Sequence, residues 1–129
     1  PEPAEPLSGH ILLIEDQPLV RKITTKILEE AGLEVTAVAG GGQAIDLVGK
    51  RGALAFDLVI SDVVMPHMSG QEVVSRLREL GPQLKFLFIS GYPDNYSLPR
   101  SSELAVDILM KPFTSAKLTE TVRSLLDAD

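Results

Sequence analysis

The chain contains no cysteine, which excludes disulfides and thiolate metal sites and is compatible with a reducing cytoplasm. It has no cluster of lysine or arginine, and 12 basic against 18 acidic residues leave a formal net charge of −6. Direct nonspecific binding to nucleic acid or to an anionic membrane needs basic patches, so neither is expected. No apolar run approaches the roughly 18 residues of a membrane span, and no signal peptide is visible. Nucleotide motifs are missing as well. Gly40-Gly41-Gly42 lacks the G-x-G-x-x-G spacing, and Gly49-Lys50 is followed by Arg51 without a P-loop glycine five residues before Gly49.

What remains is one domain's worth of alternating patterns in 129 residues. The opening Pro1-Glu2-Pro3-Ala4-Glu5-Pro6 is Pro/Glu-rich without an apolar period, so residues 1–8 read as linker, 9–127 as the domain and 128–129 as tail. Pro1 in place of Met leads to the expectation of a piece cut from a longer chain. Short apolar runs near 10–15, 33–38, 57–61, 85–90 and 106–109 read as strands. They alternate with segments of helical period, the pattern of a parallel sheet covered on both faces. Pro18 suits the first position of a helix whose Leu19, Ile23, Ile27 and Ala31 recur at four-residue spacing, with Gly32 as its left-handed stop. A short helix over 42–51 follows, with Ala44, Leu47 and Val48 inward. Ser69 and Glu72 form a capping box ahead of Val73, Leu77 and Leu80, and Thr114 starts the last helix, with Phe113 and Leu118 at staple positions. Pro93 and Pro99 break the stretch 92–104.

The strand ends carry the chemistry. Asp57-Leu58-Val59-Ile60-Ser61-Asp62 ends on a carboxylate at the tip of a buried strand, where open α/β sheets bind ligands. Ile11-Leu12-Leu13-Ile14 runs into Glu15-Asp16, Phe86-Leu87-Phe88-Ile89 into Ser90, and Val106-Asp107-Ile108-Leu109-Met110 into Lys111. Three carboxylates, a hydroxyl and a lysine at four strand ends suit a hard divalent cation and a phosphoryl group. Phosphoryl transfer to a carboxylate needs mainly positioning and charge neutralisation. Mg²⁺ (or Mn²⁺) fits Asp16, Asp62 and a backbone carbonyl just past Asp62, at Val64, with Glu15 acting directly or through water. Lys111 and Ser90 would contact further phosphoryl oxygens. His10 begins a strand and His67 sits in a turn, so both read as structural, as does Asp57, a hydrogen-bond acceptor at a strand start.

In this order, Glu15-Asp16, Asp62-x-x-Met65-Pro66-x-Met68-x-Gly70, Ser90 and Lys111-Pro112-Phe113 resemble the receiver domain of two-component response regulators and hybrid sensor kinases, the CheY-like superfamily. The likeness covers residues 9–127. It implies a flavodoxin-like (βα)₅ fold, a doubly wound parallel sheet of strand order 2-1-3-4-5. It implies Asp62 as phosphoacceptor, Lys111 and Ser90 as catalytic and switch residues, and Pro66, Gly70 and Pro112 as turn residues, the last in a cis-proline turn. Ile108 stands where the family carries its switch aromatic, which shifts the expected switch surface to Ser90 and Tyr92. The expected partner is a phosphohistidine donor, a histidine kinase or a histidine phosphotransfer domain; a homodimer or an intramolecular kinase contact is also compatible.

Such a domain promotes its own phosphotransfer and dephosphorylation without being a turnover enzyme. Its expected place is the cytoplasm, including the cytoplasmic part of a membrane-anchored hybrid kinase that carries the receiver at its C-terminus. A phosphorylation-independent interaction module on the same fold is the alternative from another class. A phosphatase of Asp-x-Asp type is disfavoured because Val64 holds the second acidic position, and a flavin enzyme would be yellow.

Overall fold

The computed structural model describes residues 6–63, 67–90 and 107–127. Among these lie strands β1 (His10–Ile14), β2 (Glu34–Val38), β3 (Leu58–Asp62), β4 (Phe86–Ser90) and β5 (Asp107–Met110), with helices α1 (Pro18–Glu30), α2 (Gly41–Arg51), α3 (Gly70–Leu80) and α4 (Ser115–Asp127). All four strand pairings are parallel and the order is β2-β1-β3-β4-β5, as expected of the flavodoxin-like fold. Each strand lies within one residue of its expected bounds. Among the described residues no helix is long and apolar enough to cross a membrane.

Strand alternation divides the core into two layers. Leu12, Ile14, Val59, Phe86 and Phe88 pack with Ala44 and Val48 of α2 and with Val73, Val74 and Leu77 of α3. Ile11, Leu13, Leu58, Ile60, Leu87 and Ile89 face Leu28 of α1 and Leu118 and Val122 of α4. Each fully buried aliphatic side chain here contributes about 1.5–3 kcal/mol relative to exposure. Leu7 joins the second layer, and its N–H donates to Ala31 O at 2.8 Å, so the stretch expected as linker already packs against the domain at its end.

The helix signals act locally as their chemistry requires. Gly32, at φ +109°, lets the chain turn as Leu33 N–H donates back to Leu28 O at 3.1 Å, and a Cβ there would strike Leu7 O. Ser69 Oγ accepts from Glu72 N–H at 3.2 Å and Thr114 Oγ1 accepts from Lys117 N–H at 3.0 Å. Asp57 accepts His10 N–H at 2.8 Å, and the His10 ring lies 2.7 Å from Thr36 Oγ1, so both are structural at the far end of the sheet.

One helical face differs from expectation. Thr24 and Leu28 are the buried residues of α1, Ile27 and Ala31 are half-buried, and Leu19 and Ile23 are 69% and 51% exposed. Residues four apart advance about 40° around a helix beyond a full turn, so a row of four drifts about 120°. Its two ends cannot share one face. Leu80, placed on the inner stripe of α3, is likewise 47% exposed.

Candidate functional site

The ladders bring the chemical groups to one level. Asp62 pairs with Ile89 and Ser90 with Met110, Val63 N–H donates to Ile89 O at 3.3 Å, and Lys111 N–H donates to Ser90 O at 2.7 Å. On the other side Glu15 N–H donates to Val38 O at 3.1 Å. Every one of these residues follows an apolar strand at its C-terminal end, so a single sheet edge presents Glu15, Asp16, Asp62, Ser90 and Lys111 together.

Lys111 Nζ stands 3.7 Å from Asp62 Oδ2, with the lysine side chain 34% exposed and the aspartate 15%. The Lys111–Pro112 peptide is cis, the isomer that the family resemblance implied. One oxygen from each of Glu15, Asp16 and Asp62 can be chosen so that all lie within 4.8 Å of one another. Glu15 is buried, and burial foremost pushes its carboxyl above the ordinary 4.5; repulsion by Asp62 and a hydrogen bond with Asp16 push the same way. The Gln17 N–H, donating to Glu15 Oε2 at 3.1 Å, and the Lys111 charge oppose that rise. A buried carboxylate held against two others is short of positive charge. Hard oxygen donors at this spacing suit a divalent cation such as Mg²⁺, so the residues fit the ion.

Two supports escape sequence reading, and a third falls on Gly70, expected as a turn residue. Arg21 Nη1 donates to Glu15 O at 2.9 Å, reaching back from the first turn of α1 to steady the acidic pair. Ser61 Oγ donates to Asp62 O at 2.9 Å, and Gly70 N–H donates to Val63 O at 2.8 Å, closing the loop that follows Asp62. An arginine six residues after an acidic pair was the only signal for the first. Gly70 also sits too close for a side chain, since a Cβ would lie 2.8 Å from Asp62 O and 3.0 Å from Phe88 Cε1.

Ile108 is half-buried and packs against the layer of α2 and α3. His67 is exposed and lines an open pocket with Asp16, Gly40, Gly41, Gly42 and Met68. Val64, Pro66 and Tyr92, expected as metal ligand, turn residue and switch surface, lie outside the described residues, as does the stretch 92–104.

The model of the family described as response regulator receiver domain matches residues 11–123. The sensor kinase CckA of Brucella abortus is 36% identical over 129 residues, 98% of this chain but 14% of that protein. The response regulator receiver protein CpdR of the same organism is 35% identical over 124 residues, covering 92% of this chain and 97% of its own length. Among solved structures, the receiver domain of the hybrid histidine kinase CckA superposes with a TM-score of 0.78 at 32% identity, over 92% of this chain and all of that one. A receiver protein from Sinorhizobium medicae gives 0.80 at 33%, over 94% and 96%. The chain belongs to the response regulator receiver domain family and is a receiver domain of two-component phosphorelay systems.

Proposed function

We propose that Asp62 takes a phosphoryl group from a phosphohistidine on a histidine kinase or a histidine phosphotransfer domain. The observation that carries this reading is Lys111 Nζ at 3.7 Å from Asp62 Oδ2 beside a three-carboxylate cluster: an anionic nucleophile is held between a lysine and two further carboxylates able to hold a cation. An Asp62 carboxylate oxygen attacks phosphorus in line, the P–N bond breaks, and the donor imidazole leaves. Lys111 hydrogen-bonds one phosphoryl oxygen and Ser90 a second, countering charge that spreads over the equatorial oxygens. Glu15, Asp16 and Asp62, with the Val64 carbonyl expected from the motif, would hold Mg²⁺ or Mn²⁺, which when bound neutralises charge on the remaining oxygens.

Donor docking is supported by the start of α1. Leu19 and Ile23, 69% and 51% exposed, lie one turn apart on the helix that begins three residues past Glu15. An apolar surface beside the crevice suits a helical donor presenting its phosphohistidine. The absence of an aromatic at Ile108 supports a switch through Ser90 and Tyr92, with Gly70, Pro66 and Pro112 shaping the loops around the acceptor.

The experiment is phosphotransfer from a purified phosphorylated histidine phosphotransfer domain, followed by radiolabel on both proteins. Label should leave the donor and appear on this chain only with Mg²⁺, and Leu19→Glu/Ile23→Glu should slow transfer while leaving labelling by acetyl phosphate intact. Retention of all label on every donor tried, with normal labelling by acetyl phosphate, would remove the phosphohistidine donor from the account.

A further inference from the structure

Away from the crevice, α1 and β2 enclose a shallow open groove of about 560 Å³, lined by Pro18, Arg21, Lys22, Thr25, Lys26 and Ala37, with Glu29 at its end. Two independent features meet there. The first is an open sheet edge. Among the described residues β2 pairs only with β1, in the order β2-β1-β3-β4-β5. Glu34 N–H donates to Gly9 O and Val38 O accepts from Glu15 N–H. By the alternation of a parallel ladder, Glu34, Thr36 and Val38 therefore bond to β1, and Val35 and Ala37 turn their N–H and C=O groups to the open side. Ala37 is exposed and Val35 half-buried.

The second feature is charge. Three of the chain's 12 cations, Arg21, Lys22 and Lys26, line this one groove although the net charge is −6. Arg21 is engaged with Glu15 O, while Lys22 and Lys26 are exposed. Thr25 Oγ1 is buried and has no hydrogen-bond partner among the described residues. The groove thus offers main-chain donors and acceptors on one wall and cations on the other.

We propose that this groove takes an extended acidic protein segment, which adds to the open edge of β2 as a further parallel strand and sets its carboxylates against Lys22 and Lys26. Strand addition supplies affinity through main-chain hydrogen bonds, and alternate side chains supply specificity. From Pro18 to Glu29 the helix wall is about 17 Å long at 1.5 Å per residue, room for about five extended residues at 3.3 Å each. A second copy of this chain suits the edge poorly, because pairing β2 with β2 would bring the same basic row of both copies together. The occupant lies one hydrogen bond from the acidic pair, through Arg21 and Glu15 O, so its arrival would bear on the metal-binding carboxylates. The assignment does not depend on the phosphotransfer reading.

The probe is a capped synthetic peptide of about seven residues in which glutamate alternates with threonine, titrated into the isotopically labelled protein and followed by amide resonances. Saturable shifts and slowed exchange at Val35 and Ala37 are expected. Affinity should fall about tenfold in Lys22→Glu/Lys26→Glu, a change of exposed residues that leaves the fold intact, and should vanish for a peptide with prolines in place of the threonines. Four outcomes would each overturn the proposal. The first is silence at Val35 and Ala37, which would mean that the lysines merely guard the edge against pairing. The second is equal binding by the proline peptide, which would mean charge without strand addition. The third is undiminished affinity in the double variant. The last is a response of the same amides to dilution alone, which would give the edge to a second copy.

Discussion

Gly70→Ala tests how tightly the helix after the phosphoacceptor is pressed onto the strand that carries it. The new methyl would stand 2.8 Å from Asp62 O, 3.0 Å from Phe88 Cε1 and 3.1 Å from Val63 Cα. Two of these neighbours are backbone, and Asp62 O is already fixed as the acceptor of Ser61 Oγ at 2.9 Å. Relief therefore requires β3 and α3 to separate by a few tenths of an ångström, at a cost of about 1–3 kcal/mol for overpacking. Replacing glycine lowers the entropy of the unfolded chain and returns about 0.4–1 kcal/mol. A net loss of about 1–2 kcal/mol is left. Gly42→Ala is the matched control, because a Cβ there meets nothing within 4 Å and only the gain applies. With a urea slope of about 2 kcal/mol/M, the two midpoints should lie about 1 M apart, on opposite sides of the parent. Far-UV circular dichroism reads this in a chain without tryptophan. Gly70→Ala should also slow phosphorylation, since the displaced atoms belong to Asp62 itself. Equal or raised stability of Gly70→Ala would refute the packing argument.

Burial and repulsion raise the Glu15 carboxyl above 4.5 in the fold, so the unfolded chain releases that proton first. The stability this group contributes is present below 4.5 and is lost as pH rises through its folded value. Thermal melts should therefore show Mg²⁺ raising Tm more at neutral pH than near pH 4, and Glu15→Gln should shrink that difference; equal Mg²⁺ shifts at both pH values would contradict the site. Lys111→Ala should slow labelling by acetyl phosphate about a hundredfold, the scale for one preorganised charge, with Lys111→Arg only partly restoring it. Rates unchanged in Lys111→Ala would detach the lysine from the chemistry. Ser69→Ala should cost about 1 kcal/mol in urea melts through loss of the cap on Glu72 N–H.

The β-strands and the crevice were readable because both leave one-dimensional traces. Five short apolar runs bounded by turn residues, ending near Asp16, Val38, Asp62, Ser90 and Lys111, place their tips side by side once the sheet is parallel. Strand order came from the family resemblance, since pairing is a long-range property that no local pattern encodes. The face of α1 was misjudged because four-residue spacing drifts around the helix, and Thr24, a polar residue, holds a buried position that hydrophobicity alone assigns to solvent. Arg21 on Glu15 O and Ser61 on Asp62 O were invisible for a related reason: they join a side chain to a main-chain atom, and main-chain acceptors carry no sequence signature.

The central claim is that Asp62 alone accepts the phosphoryl group, and the direct measurement is peptide mapping by mass spectrometry after incubation with acetyl phosphate and Mg²⁺. A single phosphoryl group should be found, on the peptide containing Asp62, absent after chelation of Mg²⁺ and absent in Asp62→Asn. Undiminished labelling of Asp62→Asn, or a phosphoryl group mapped to Glu15 or Asp16 in the parent chain, would contradict it.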